Sequence, residues 1–137
     1  MRSSVLGACL LVGGLVAAAA LSARADTAAE WICDGARNNA EHIQCADREF
    51  RKHDAEMLRV YNQLVKTSDA VTQRAFGPPP RVALKSSQAA WLAFRDANCH
   101  WKATAFYGGS AQSVIRVSCL AIATRDRVEE LKAAAPE

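Results

Sequence analysis

The fold is decided by residues 36–68, ARNNAEHIQCADREFRKHDAEMLRVYNQLVKTS, which contain no Pro and no Gly. Apolar residues recur there as Ile43, Ala46, Phe50, Met57, Tyr61 and Leu64. Steps of three and four place them on one face of a helix. The step from Phe50 to Met57 skips a turn, and the residue that fills it is Asp54. An acidic side chain therefore stands on an otherwise apolar stripe.

Downstream, Phe76-Gly77-Pro78-Pro79-Pro80-Arg81 breaks the chain, because consecutive prolines favour an extended backbone. A second helix is expected from Arg81 to about Ala103. Leu84, Trp91 and Asn98 form one line along it, with Gln88, Leu92, Arg95 and Cys99 beside them. Tyr107-Gly108-Gly109-Ser110 is the second break, and Ser110 is a suitable N-cap. A third helix is expected from about Ala111 to Ala134, with Val117, Leu120, Ala121, Thr124, Val128 and Leu131 at helical steps. There is no alternating strand pattern and no repeat period. The expected fold is all-α: a small three-helix bundle, or a helical hairpin with an added long N-terminal helix. The Gly-Gly turn should make the second and third helices antiparallel.

Upstream, residues 1–25 read as a cleaved signal peptide. A short basic start is followed by an apolar run from Val5 to Leu21 and by Ala23-Arg24-Ala25, an A-x-A cleavage signal. An uncleaved anchor is disfavoured by the small residues before the cut and the polar Asp26-Thr27 after it. A lipobox at Leu6-Gly7-Ala8-Cys9 is disfavoured because most of the apolar run follows Cys9. The expected product is one soluble domain, residues 26–137, periplasmic or secreted.

Cleavage removes Arg2 and Arg24 from a chain of 17 basic and 14 acidic residues, so the net charge falls from +3 to +1. Binding to nucleic acid, which needs an excess of cations, is not expected. Nor is a membrane-spanning segment beyond the leader.

Cleavage also removes one of five Cys, leaving Cys33, Cys45, Cys99 and Cys119. An even number in a short exported chain implies disulfides. The spacing favours Cys33–Cys45 and Cys99–Cys119; two long-range bridges between the halves are the alternative. A zinc site is not expected, because no C-x-x-C occurs and His42, His53 and His100 do not fall into a ligand pattern with the Cys. No cofactor is required. Catalysis is not expected either, since G-x-S-x-G, H-E-x-x-H and a phosphate-cradling glycine loop are all missing.

The block Gln88-Ala89-Ala90-Trp91-Leu92-Ala93-Phe94-Arg95-Asp96-Ala97-Asn98-Cys99 resembles the signature of the lysozyme inhibitor LprI-like family of small exported bacterial proteins. The resemblance continues through Gly108-Gly109-Ser110 and residues 119–131. Upstream it takes in Cys45-Ala46, Asp54 and Tyr61-Asn62-Gln63-Leu64. It covers roughly Cys33 to Leu131. One departure is Met57-Leu58, where the family often has Leu-Asn ahead of the Tyr. The resemblance implies a helical, disulfide-containing exported domain, and by the family's name an inhibitor of lysozyme. The other reading is a structural or accessory envelope protein that binds a periplasmic partner or peptidoglycan without inhibiting lysozyme.

Two groups of residues bear on these readings. Asp54 and Arg95 fall on or beside apolar stripes, where a charge needs a partner. They are expected to form an internal ion pair, with Gln88 and Thr124, that sets helix register; a ligand pocket is the alternative. Arg81 on the Pro-rich loop, and Trp101, Tyr107 and Ser110 around the Gly-Gly turn, are the candidate binding-loop residues. Part of the aromatic cluster His100, Trp101, Phe106 and Tyr107 is expected to pack under the turn. Trp91 is expected in the core. The run from Arg125 to Glu130 is expected to be a solvated helix face, with Arg125 and Glu129 attracting each other.

Overall fold

A computed structural model describes residues 32–68 and 78–134, which form three helices: α1 (Asn39–Thr67), α2 (Pro80–Thr104) and α3 (Ala111–Ala133). The expected all-α, three-helix architecture is what the chain adopts. The leader, and Phe76 and Gly77 of the first break, lie outside the described residues.

The helix ends differ slightly from expectation, each for a local reason. Helix α1 starts later than Ala36 because Asn38 caps it, its side chain accepting the Glu41 backbone N–H at 2.9 Å. Glu41 adds negative charge to the first turn and pairs with Arg37. Pro80 opens α2 rather than preceding it. A first-turn N–H has no helical partner, so its loss costs nothing there. Ser110 precedes α3 with helical φ and ψ and makes no capping bond with its side chain. Its Oγ instead accepts from Asn39 Nδ2 at 2.9 Å, tying the turn to the first residue of α1.

The cross-helix contacts fix the directions. Asn39 meets Ser110, His42 meets Ser118 and Glu56 meets Lys132, so α1 and α3 run parallel. Cys99 is bonded to Cys119 and Arg95 meets Thr124, while Gln88 meets Arg127, so α2 runs antiparallel to α3 as the short turn requires. Helix α3 packs extensively on α1 and less on α2; α1 and α2 barely touch each other.

The two ends of the bundle are held differently. Where the chain leaves α2 and starts α1 and α3, the buried positions are mostly small: Ala46, Cys99, Ala103, Val114, Ser118 and Ala121, with Leu120 the larger exception. Both disulfides, Cys33–Cys45 and Cys99–Cys119, lie in this half, with the favoured connectivity. Cys33 takes a left-handed backbone, φ 83°. The other half holds the main apolar cluster, Met57, Val60 and Leu64 of α1 against Val128 and Leu131 of α3. Leu84, Trp91 and Leu92 of α2 flank that cluster only partly buried, so Trp91 is a margin residue of the core. Val114 is buried although the expected stripe of α3 began at Val117, which is half-buried.

Candidate functional site

Arg95 sits between the two halves. Its side chain is only 8% exposed. Nη1 donates to Asp54 Oδ1 of α1 and to Thr124 Oγ1 of α3, both at 3.2 Å, and Nε donates to Asp96 Oδ1 at 2.9 Å. The Thr124 hydroxyl in turn donates to the Leu120 carbonyl at 2.7 Å, so it uses both its capacities. The guanidinium also lies 5.3 Å from the ring centroids of Phe50 and Trp91, within cation–π range. One side chain thus joins all three helices. Asp54 is not enclosed: its side chain is 46% exposed, because α1 and α2 scarcely meet around it.

Gln88 is buried but bonds elsewhere. Its Nε2 lies 3.4 Å from Met57 Sδ, and its Oε1 accepts from Arg127 Nε at 3.2 Å. Arg127 also donates to Glu130 and Ser87, and lies 5.4 Å from the Trp91 centroid. The expected solvated face therefore fails at Arg127, whose side chain is 12% exposed, while Asp126, Glu129 and Glu130 are exposed. A signal was present: Arg127 follows Leu120 by seven residues and precedes Leu131 by four, which places it on the buried stripe. Among the described residues, every buried side-chain nitrogen and oxygen has a hydrogen-bond partner.

The aromatic cluster at the turn does not pack under it. Trp101, Phe106 and Tyr107 are 68%, 44% and 86% exposed, and His100 is exposed as well. The turn is tight: Gly109 N donates to the Phe106 carbonyl at 3.0 Å, and Gly108 has φ +76°, a conformation that suits Gly. Along the chain, Tyr107 follows Cys99 of the Cys99–Cys119 bridge by eight residues and precedes Ser110, which accepts from Asn39, by three.

Arg81 is exposed at the opposite end of α2. At about 1.5 Å per residue, the helix separates it from the Gly-Gly turn by roughly 35 Å. The structure therefore brings Tyr107 and Ser110 together and leaves Arg81 apart from them. A shallow pocket of ≈ 290 Å³ lies beside the Cys33–Cys45 bridge, lined in part by Glu41, Gln44 and Arg48. It lies on the same half of the molecule as the turn. Among the described residues, no three of His, Cys, Asp and Glu are placed to hold a metal ion. No described helix is long and apolar enough to cross a membrane.

Three long helices, two local disulfides and an arginine, Arg95, that reaches all three helices define a small, covalently stapled helical domain. The family described as "Lysozyme inhibitor LprI" matches residues 33–131, and the chain belongs to that family. An uncharacterized protein of Rhizobium meliloti (strain 1021) is 35% identical over 94 residues, covering 64% of this chain and 67% of that protein. No solved structure matches the chain at a significant level.

Proposed function

We propose that the chain is an exported, non-catalytic protein, periplasmic or secreted, that binds lysozyme and blocks its cleft with the Tyr107–Ser110 turn. Membership of the LprI family supports lysozyme as the partner. The observation that carries the choice of surface is Tyr107, among the described residues the most exposed large hydrophobic one, presented on a turn tied to α1 by the Asn39–Ser110 bond. Lysozyme cleaves glycan with two carboxyl groups in a cleft. A blocker need only fill that cleft with a rigid ring and hydrogen-bonding groups; rigidity matters because ordering a loose loop would consume binding energy. The near-balanced charge expected after cleavage gives little electrostatic steering, so the affinity of this reading rests on slow dissociation.

The test is a peptidoglycan hydrolysis assay with the oxidised chain titrated against several lysozyme types. Stoichiometric inhibition of at least one type is expected. Folded, thiol-free protein that inhibits none of them would overturn the reading and turn the search to other envelope partners.

A further inference from the structure

Helix α2 is largely apolar on the side turned away from the bundle, where Ser87 is the polar member. Ala83, Ala90, Phe94 and Ala97, with Trp101, are all exposed and share one stripe at 100° per residue. Every charged residue of α2 lies about 80° or more around the helix from Phe94 at that spacing. A helix apolar on both sides is normally covered on both. Here α3 covers one, and the other carries Phe94 at 63% and Trp101 at 68% exposure.

We infer that this face pairs, antiparallel, with the same face of a second copy of the chain. The occupant is argued from the order of residues. The stripe alternates small and large as Ala90, Phe94, Ala97, Trp101. Under a two-fold axis between Arg95 and Asp96, each Phe94 falls opposite Ala97 of the second copy. Each Trp101 falls opposite its Ala90. Each ring then has an alanine level with it on the second copy, with the two Phe94 rings side by side about 4.5 Å apart along the axis, an arrangement of the small-against-large kind that close helix packing requires. A patch complementary to itself under a two-fold is what an isologous dimer needs. The area reaches the threshold: two rings about two-thirds exposed and their flanking alanines remove at most roughly 500 Å² per copy, or about 1,000 Å² in all, the lower bound of a specific interface, which fits a weak dimer. The pairing leaves the Tyr107 turns at opposite ends of the dimer, so it is independent of whether lysozyme is bound.

Sedimentation velocity of the full-length, oxidised chain tests the inference from low-micromolar to submillimolar concentration. A protomer–dimer equilibrium is expected, with Trp fluorescence shifting to the red on dilution as Trp101 is released. Ala97→Glu and Phe94→Glu, both at exposed positions, should raise the dimer dissociation constant at least about tenfold with unchanged helical circular dichroism. Lys85→Glu, off the stripe, should leave it unchanged. A wild-type chain that stays a single protomer throughout, or a dimer equally strong in both stripe variants, overturns the inference. So does a protomeric wild type whose inhibition of lysozyme is lost in Phe94→Glu, because the face would then belong to lysozyme.

Discussion

Arg95 and Asp54 form an ion pair of unequal members: Nη1 reaches Oδ1 at 3.2 Å, yet the arginine side chain is 8% exposed and the aspartate 46%. The inequality sets what each contributes. Arg95 without Asp54 keeps Asp96 and Thr124 as acceptors and keeps its two ring contacts. Asp54 without Arg95 simply turns to water. Asp54→Asn should therefore lower stability by about 1 kcal/mol or less, as expected for a half-exposed pair. Arg95→Ala should cost about 2–4 kcal/mol, because it opens a space between three helices and removes the buried bonds together. Urea unfolding followed by circular dichroism measures both.

Glu56 gives the clearest pH dependence. Hydrogen bonds from Arg59 hold its carboxyl down to about 2, helped by the charges of Arg59 and Lys132 and opposed by partial desolvation. Unfolding returns the group to its ordinary value of 4.5, so between the two values the unfolded chain binds more protons. The contribution is thus complete above about pH 4.5 and is lost as the pH falls through about 2. Thermal melts of the wild type should show this acid loss, and Glu56→Gln should flatten that part of the profile.

Tyr107 and Arg81 stand at opposite ends of α2, so one cleft cannot take both. With the turn as the blocking element, Tyr107→Ala should weaken lysozyme inhibition by at least about tenfold, the loss typical of a central aromatic anchor. Arg81→Ala should leave inhibition within about twofold. Inhibition constants measured beside melting temperatures separate lost contact from lost folding.

The two disulfides should differ in worth. Replacing Cys99 and Cys119 by Ala frees α2 from α3 where mostly small residues pack, and should cost about 3 kcal/mol by chain-entropy arguments. Replacing Cys33 and Cys45 should cost less. That bridge closes the shorter loop, 12 against 20 residues, and its removal also lets the Cys33 backbone leave φ 83°. Denaturation midpoints of the two double variants give the comparison.

The sequence was informative where the signal is local. Periodicity locates three helices, the Gly-Gly turn makes α2 and α3 antiparallel, and spacing favours the two short-range bridges. The gap at Asp54 marks a charge on a stripe, and Arg95 is where that charge finds its partner. What periodicity cannot supply is which neighbour covers a face. Gln88 looks equally fit to join Arg95 or to bond elsewhere, and it bonds to Arg127. That residue was hidden inside a run of charges whose other members are exposed. Trp101, Phe106 and Tyr107 suggest a packed cluster because aromatic residues usually bury; in the structure all three stand exposed around the turn, with no element of the bundle covering them. The parallel packing of α1 on α3 depends on long-range contacts such as Asn39 with Ser110, for which no motif exists.

The uneven division of the bundle, covalent bonds and small side chains at one end and the large apolar cluster at the other, ties shape to redox compartment. In a reducing environment the cluster around Met57, Val60, Leu64, Val128 and Leu131 would survive, while the half that presents Tyr107 would lose its bracing. A chain retained in the cytosol would be partly folded yet unable to offer a rigid turn. On the proposed function, competence to bind would then require oxidation of the two bridges, so that the redox state of the compartment would act as a switch.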